Sequence, residues 1–170
     1  MEDEKIDLFF DTKQAVLDKS NMSSVKTLFG LVRHFSHTIH TLQQERGASS
    51  GFIGSKGKKF HNKLLKIRKK SDKQIQNLLF YFNLNTSSLQ QYFNDEEYAE
   101  LNTKFNHLYL LRENIDTLNI GFSKSYSKYT QHIASLLLNI ADISDKVENK
   151  QLRDDLYVYS TRLMFKESIG

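Results

Sequence analysis

A chain of 170 residues with 39% apolar and 26% charged side chains has the composition of one soluble globular domain, and it lacks the ~18 uninterrupted apolar residues of a bilayer-spanning helix. The absence of cysteine excludes disulfides, thiolate metal sites and a cysteine nucleophile. No proline and only seven glycines point to long unbroken helices, because proline normally marks turns and strand edges. The net charge of +4 is mild.

The first segment, MEDEKIDLFF, has neither the basic n-region nor the apolar h-region of a secretory signal. A native Met1 therefore implies a cytoplasmic protein; a domain excised from a membrane receptor would instead be periplasmic. Ile6, Phe9, Phe10, Val16 and Leu17 predict an accessory helix over about 4–19. A long helix follows over about 24–54, with Ser23 or Ser24 as its cap and a stripe of Leu28, Leu31, Val32, Phe35, Ile39, Leu42, Arg46, Ser49 and Ile53. Gly51, Gly54 and Gly57 then weaken helix propensity in turn.

The next helix, about 58–83, carries Phe60, Leu64, Ile67, Ser71, Ile75, Leu78 and Phe82 on one face. Lys59, Lys63, Lys66 and Lys70 lie opposite and read as a solvated face, since no aromatic interleaving or recognisable nucleic-acid module accompanies them. Residues 83–88 are polar and turn-rich. Asn94 or Asp95 caps a helix of about 95–119 with a stripe of Leu101, Phe105, Leu108, Arg112, Ile115 and Leu118. Gly121 breaks the chain before a strongly periodic helix over about 122–147. A last helix, about 150–168, is expected to bury Leu152, Leu156, Tyr159 and Leu163. No run alternates with period two, so helix must pack on helix. The expected fold is all-α, an antiparallel up-down helical bundle of four long core helices plus one or two accessory helices. It forms a single domain over 1–170, with the accessory helix in 1–21 and the bundle in 22–170.

Arg46 and Arg112 each stand where an apolar side chain is expected. A guanidinium facing a core needs an anionic partner, because an unpaired buried charge is too costly to keep. Two readings follow. In one, internal carboxylates close the arginines: Glu113 and Asp116 flank Arg112, whereas Glu45 adjoins Arg46 but points about 100° away on the helix. In the other, a small anion sits between two helices, and the small residues Gly47, Ala48, Ser49, Ser50 and Gly51 leave it room, with Gln43, Ser49 and Ser50 as neutral donors. Tyr126 and Tyr129 are expected to pack their rings inward with hydroxyls toward a polar site or the bundle end. His34, His37 and His40 are spaced by three, but no nearby carboxylate completes a convincing metal set. No nucleophile elbow, phosphate-binding glycine loop or dinucleotide fingerprint occurs, so no catalysis is expected.

The segment LQQERGASSGFIGSKGKKFHNKLLKIRKKSDKQI resembles the opening of the nitrate- and nitrite-sensing (NIT) domain, with its LQ-x-ERG-x-S and F-x-x-S-x-G patterns. The matching positions are Leu42, Gln43, Glu45, Arg46, Gly47, Ser49, Phe52, Ser55 and Gly57, followed by Leu64 or Leu65, Arg68 and Asp72. Arg112, Ile115–Asp116, Tyr129–Thr130 and the terminal Lys166, Glu167 and Gly170 agree too. The resemblance implies a sensory domain that binds nitrate or nitrite between helices through arginines. Arg46 is the position carried over most directly, and Arg112 is the second cation. Arg68 is expected to pair with Asp72 one turn away. The family pattern runs past Gly170 to a further arginine, so a domain truncated at its C-terminus is expected. Expected partners are the small inorganic anion, a second copy of the chain in a homodimer, and an output signalling domain on the same chain or a partner. No cofactor and no nucleic acid are expected. The alternative is a non-sensing helical dimerisation or adaptor domain whose core arginines are paired internally.

Overall fold

The computed structural model describes residues 2–20 and 23–169, and within them the side chains of residues 2–15 and 24–162. Among the described residues the chain forms seven helices and no strand. These are α1 (Glu2–Ser20), α2 (Ser23–Gly54), α3 (His61–Leu84), the single turn α4 (Thr86–Leu89), α5 (Asp95–Asp116), α6 (Phe122–Asp145) and α7 (Lys150–Ile169). The stripe positions Val16, Leu17 and Leu163, and the motif residues Lys166, Glu167 and Gly170, lie outside the described side chains. Among the described residues no helix is long and apolar enough to cross a membrane.

The 32 residues of α2 extend about 48 Å at the usual rise of an α-helix. This helix packs against α1, α3 and α6, which explains why it buries more than a narrow stripe: Thr38, Thr41, Glu45 and Ala48 are buried beside Ile39, Leu42 and Ser49. Short links return α3 and α6 antiparallel to the helices before them, so α2, α3, α5 and α6 make the expected bundle. The accessory helices α1 and α7 meet at one end. Phe9 and Tyr159 stack with ring centroids 4.4 Å apart, and Lys13 Nζ donates to Asp155 at 2.6 Å.

The helix ends depart from expectation where the backbone turns left-handed. α2 closes with Gly57 N donating to Phe52 O at 2.9 Å and Lys56 N to Ile53 O at 2.9 Å, the paired bonds of a Schellman cap with Lys56 in the αL position at φ 53°. Gly57 follows at φ 75°, and the Phe52 ring lies 3.5 Å from where a Cβ would stand. Ser55 Oγ accepts from Lys59 N at 3.0 Å. Phe52, Ser55 and Gly57, the F-x-x-S-x-G residues, thus build the α2–α3 turn. Phe60 at φ 69° then delays α3 to His61, three residues later than predicted. The same cap ends α5, with Asn119 N on Asn114 O at 2.9 Å, Leu118 N on Ile115 O at 3.0 Å and Leu118 at φ 55°. That helix therefore stops at Asp116 rather than 119. Asn94 is its N-cap, forming a capping box with Glu97. The polar stretch after α3 contains the extra turn α4, and α2 begins at Ser23, with the preceding position outside the described residues.

Candidate functional site

One polar layer crosses the bundle one to two turns from the end where α2 and α5 finish and α3 and α6 begin. Arg46 stands eight residues before Gly54, Arg68 seven after His61, Arg112 four before Asp116, and Tyr129 seven after Phe122. The antiparallel course brings these offsets to one level, although the residues are far apart in the chain.

Glu45 is the centre of the layer and has no exposed surface. Its Oε1 accepts Arg112 Nε at 2.7 Å and the Tyr129 hydroxyl at 2.7 Å, and its Oε2 accepts Arg112 Nη2 at 2.8 Å. Arg68 Nε lies 3.7 Å from the same Oε1. Behind these, Arg112 Nη1 donates to Asp72 at 2.6 Å, Arg68 Nη1 to Asp116 at 2.7 Å, and Ser49 Oγ to the Tyr129 hydroxyl at 3.1 Å. Burial works to raise the carboxyl of Glu45. The hydrogen bonds and charge of Arg112, helped by Tyr129, outweigh it and hold the group below its ordinary value. Tyr129 is pushed strongly upward, first by burial and then by the charge of Glu45, so it stays a neutral donor.

This pairing corrects two expectations. The partners of Arg112 are Glu45 and Asp72, not Glu113 and Asp116, and the hydrogen-bonded partner of Arg68 is Asp116, not Asp72. Bonds across helices replace the expected bonds within one helix, because a bidentate fork fits a facing carboxylate better than one a turn away on the same surface. Arg68 Nε and Nη2 are buried without a hydrogen-bond partner among the described residues.

Arg46 is 6% exposed and lies at the seam of α2 and α6. Its guanidinium carbon stands 4.4 Å from the centroid of the Tyr126 ring, and Nη1 donates to Thr130 Oγ1 at 3.0 Å. Ser50 Oγ donates to the Arg46 carbonyl at 2.8 Å. Gln43, one turn before Arg46 on α2, borders a shallow groove against Lys63, Lys66 and Lys70 of α3. Of the five residues singled out from the sequence, Arg112 and Ser49 thus join the Glu45 layer, Arg46 lies at the α6 seam with Ser50 bonded to its carbonyl one turn on, and Gln43, one turn before it, borders the groove to α3. Glu45 itself was not among them. Its signal was its place three residues after Leu42 and four before Ser49, a helical spacing as regular as that of Arg46.

The histidines take other roles. His37 faces Asp3 and Asp7 of α1 at 3.3 and 3.0 Å, while His34 packs against Tyr81. Among the described residues no group of three or more His, Asp or Glu side chains is arranged to hold a metal ion.

Fold and site together define an all-helical bundle whose four main helices are tied by one buried layer of arginines, carboxylates and a tyrosine. A family model described as nitrate and nitrite sensing matches residues 37–170, and the chain belongs to that family. The family is one of sensory domains rather than enzymes. Among solved structures the chain is similar to the NasR transcription antiterminator, with a TM-score of 0.73 at 19% identity. The match covers 94% of this chain and 43% of that one, so the chain spans less than half the length of the antiterminator, and the likeness is one of fold. A comparison with curated proteins finds no match.

Proposed function

We propose that this domain binds nitrate or nitrite between its helices and relays the binding as a change in helix arrangement to an output domain on the same chain or on a partner. The observation that carries the reading is the position of Arg46, a motif residue of the matched family, at the α2–α6 seam over Tyr126 and beside Thr130. Arg46 holds the anion. Arg112 is the second cation, reached through Nη1, where Asp72 with its side chain 41% exposed is the exchangeable partner. Ser49 contributes a hydroxyl that can turn from Tyr129, while Gln43 and Ser50 complete the set of neutral donors after local adjustment.

The relay follows from linkage. An anion shifts an equilibrium only by its difference in affinity for two states, and taking Arg112 from Asp72 would loosen one of the ties between α5 and α3. The domain would work as a homodimer without a cofactor, in the cytoplasm. The closure of Arg68 and Arg112 by carboxylates favours a second reading, a non-sensing dimerisation or adaptor domain. Melting temperature separates the two. Nitrate or nitrite, against chloride at equal ionic strength, should stabilise the folded domain selectively, by about 2.7 kcal/mol at a hundredfold excess over Kd. Arg46→Ala should abolish the response. Equal melting temperatures in nitrate and chloride would favour the adaptor.

A further inference from the structure

A cleft of about 570 Å³ opens between α5 and α6, and no residue of the arginine layer lines it. Lys104 and His107 enter it from α5, and Lys124, Lys128 and His132 from α6, while none of its lining residues is acidic. Lys124, Lys128 and His132 recur every four residues, which puts them on one face of α6; Lys104 and His107 are likewise neighbours on α5. Two basic faces therefore confront each other across an open space.

Lys13, Lys146 and Lys150 pair with Asp155, Glu97 and Asp154, whereas the α3 lysines are unpaired among the described residues, on a face turned to solvent. The cleft differs in setting unpaired lysines of two helices around one concave space. Lys104, Lys124 and Lys128 form no ion pair among the described residues. His132 registers the resulting field: burial, then the charges of His107 and Lys128, lower its pKa from the ordinary value. Like charges gathered in a concave, partly apolar site focus a positive potential on whatever occupies it. Leu111 and Ile120 supply the apolar wall.

We propose that the α5–α6 cleft is a second ligand site, separate from the nitrate site, that binds a small phosphate-bearing molecule. Three lysines suit an anion of charge −2 or more rather than a monovalent oxyanion, and lysine is a phosphate binder that acts as a point charge. The volume lies within the range of small-ligand sites, far above what one nitrate fills. The shape is a cleft and no Phe, Tyr or Trp lines it, which argues against a single-stranded nucleic acid held by base stacking. The phosphate groups would lie against the lysines and the organic body against Leu111 and Ile120.

Pyrophosphate is the probe, titrated calorimetrically into the whole chain at fixed ionic strength. Saturable binding at one site per chain is expected, weakened about tenfold or more by Lys124→Gln with Lys128→Gln. Lys63→Gln with Lys66→Gln on α3 should leave it unchanged, as should Arg46→Ala. Far-UV circular dichroism confirms that each variant is folded, and Lys104→Gln replaces the α6 pair if that variant is not. Three results would overturn the proposal: no saturable binding, equal weakening by the α3 and α6 substitutions, or displacement of pyrophosphate by a short RNA that binds more tightly. The last would make the cleft part of a nucleic-acid surface.

Discussion

Glu45 and Arg112 meet edge to edge in the interior, Nε on Oε1 at 2.7 Å and Nη2 on Oε2 at 2.8 Å, across 67 residues of chain. Both are buried, so removing either partner strands the other's charge. Arg112→Ala and Glu45→Ala are each expected to destabilise the fold by about 3–5 kcal/mol, read from urea unfolding midpoints. The double variant Glu45→Leu with Arg112→Met should cost far less than the sum of Glu45→Leu and Arg112→Met made singly, since it leaves no buried charge of the pair behind and only the part-exposed Asp72 loses its arginine. Tyr129→Phe removes one donor to the carboxylate and should cost about 1.5–3 kcal/mol. Additive single and double changes would show that the two residues are not coupled.

Acid should weaken the fold before the carboxylates titrate. Burial, with the charges of His37 and Arg33 added, pushes His34 down from 6.5 to about 4. Between these values the unfolded chain holds the proton and the folded chain does not, so stability falls as pH drops from about 6.5 to 4. His132 is also lowered and acts with the same sign. Glu45, likewise lowered from 4.5, contributes fully above that value and is lost below it. His34→Phe retains a ring against Tyr81 and should flatten the slope between pH 6.5 and 4. An unchanged slope in chemical denaturation across that range would show that His34 does not carry the acid sensitivity.

Leu118 occupies a cap position that glycine fills without strain. At φ 55° its Cβ costs about 1–2 kcal/mol, and with the side chain 42% exposed the apolar burial that offsets the strain is smaller than that of a core leucine. Leu118→Gly should therefore raise stability by about 1 kcal/mol, or several degrees in Tm for a domain of this size. Lys56→Gly at φ 53° should act in the same direction. A fall in Tm in both variants would mean that the loss of side-chain contacts and the added freedom of the unfolded chain outweigh the relief of strain.

Gly30 behaves in the opposite way. A Cβ there would lie 2.0 Å from the Tyr81 hydroxyl and 2.5 Å from its ring carbon. That hydroxyl reaches past Gly30 to donate to Thr27 O at 3.0 Å. Gly30→Ala must push the ring out and break the bond, at a cost of about 1–3 kcal/mol, even though alanine is the better helix former. Thermal denaturation of the variant checks the sign.

Much of this architecture was legible from local pattern. The helices, the Asn94 cap, the break at Gly121 and the inward turn of Arg46 all follow from spacings within one helix. Glu45 was misjudged because α2 was read as carrying one stripe, and three neighbours bury it on a wider arc. The exchange of Asp72 and Asp116 between Arg68 and Arg112 was invisible for a related reason. Those pairings span 40 and 48 residues and depend on the relative rotation of three helices. Lys104, Lys124 and Lys128 stood out in no local pattern, and only the packing of α5 on α6 sets them face to face.

The proposed sensing rests on Arg46 holding nitrate or nitrite in this domain. Isothermal titration of nitrate into the wild-type chain, Arg46→Lys and Arg46→Ala tests it most directly. Saturable binding to the wild type is expected, with marked weakening in Arg46→Lys, which retains the charge but loses the planar fork, and no binding in Arg46→Ala. Nitrate binding of equal affinity in all three proteins, or in none of them, would contradict it.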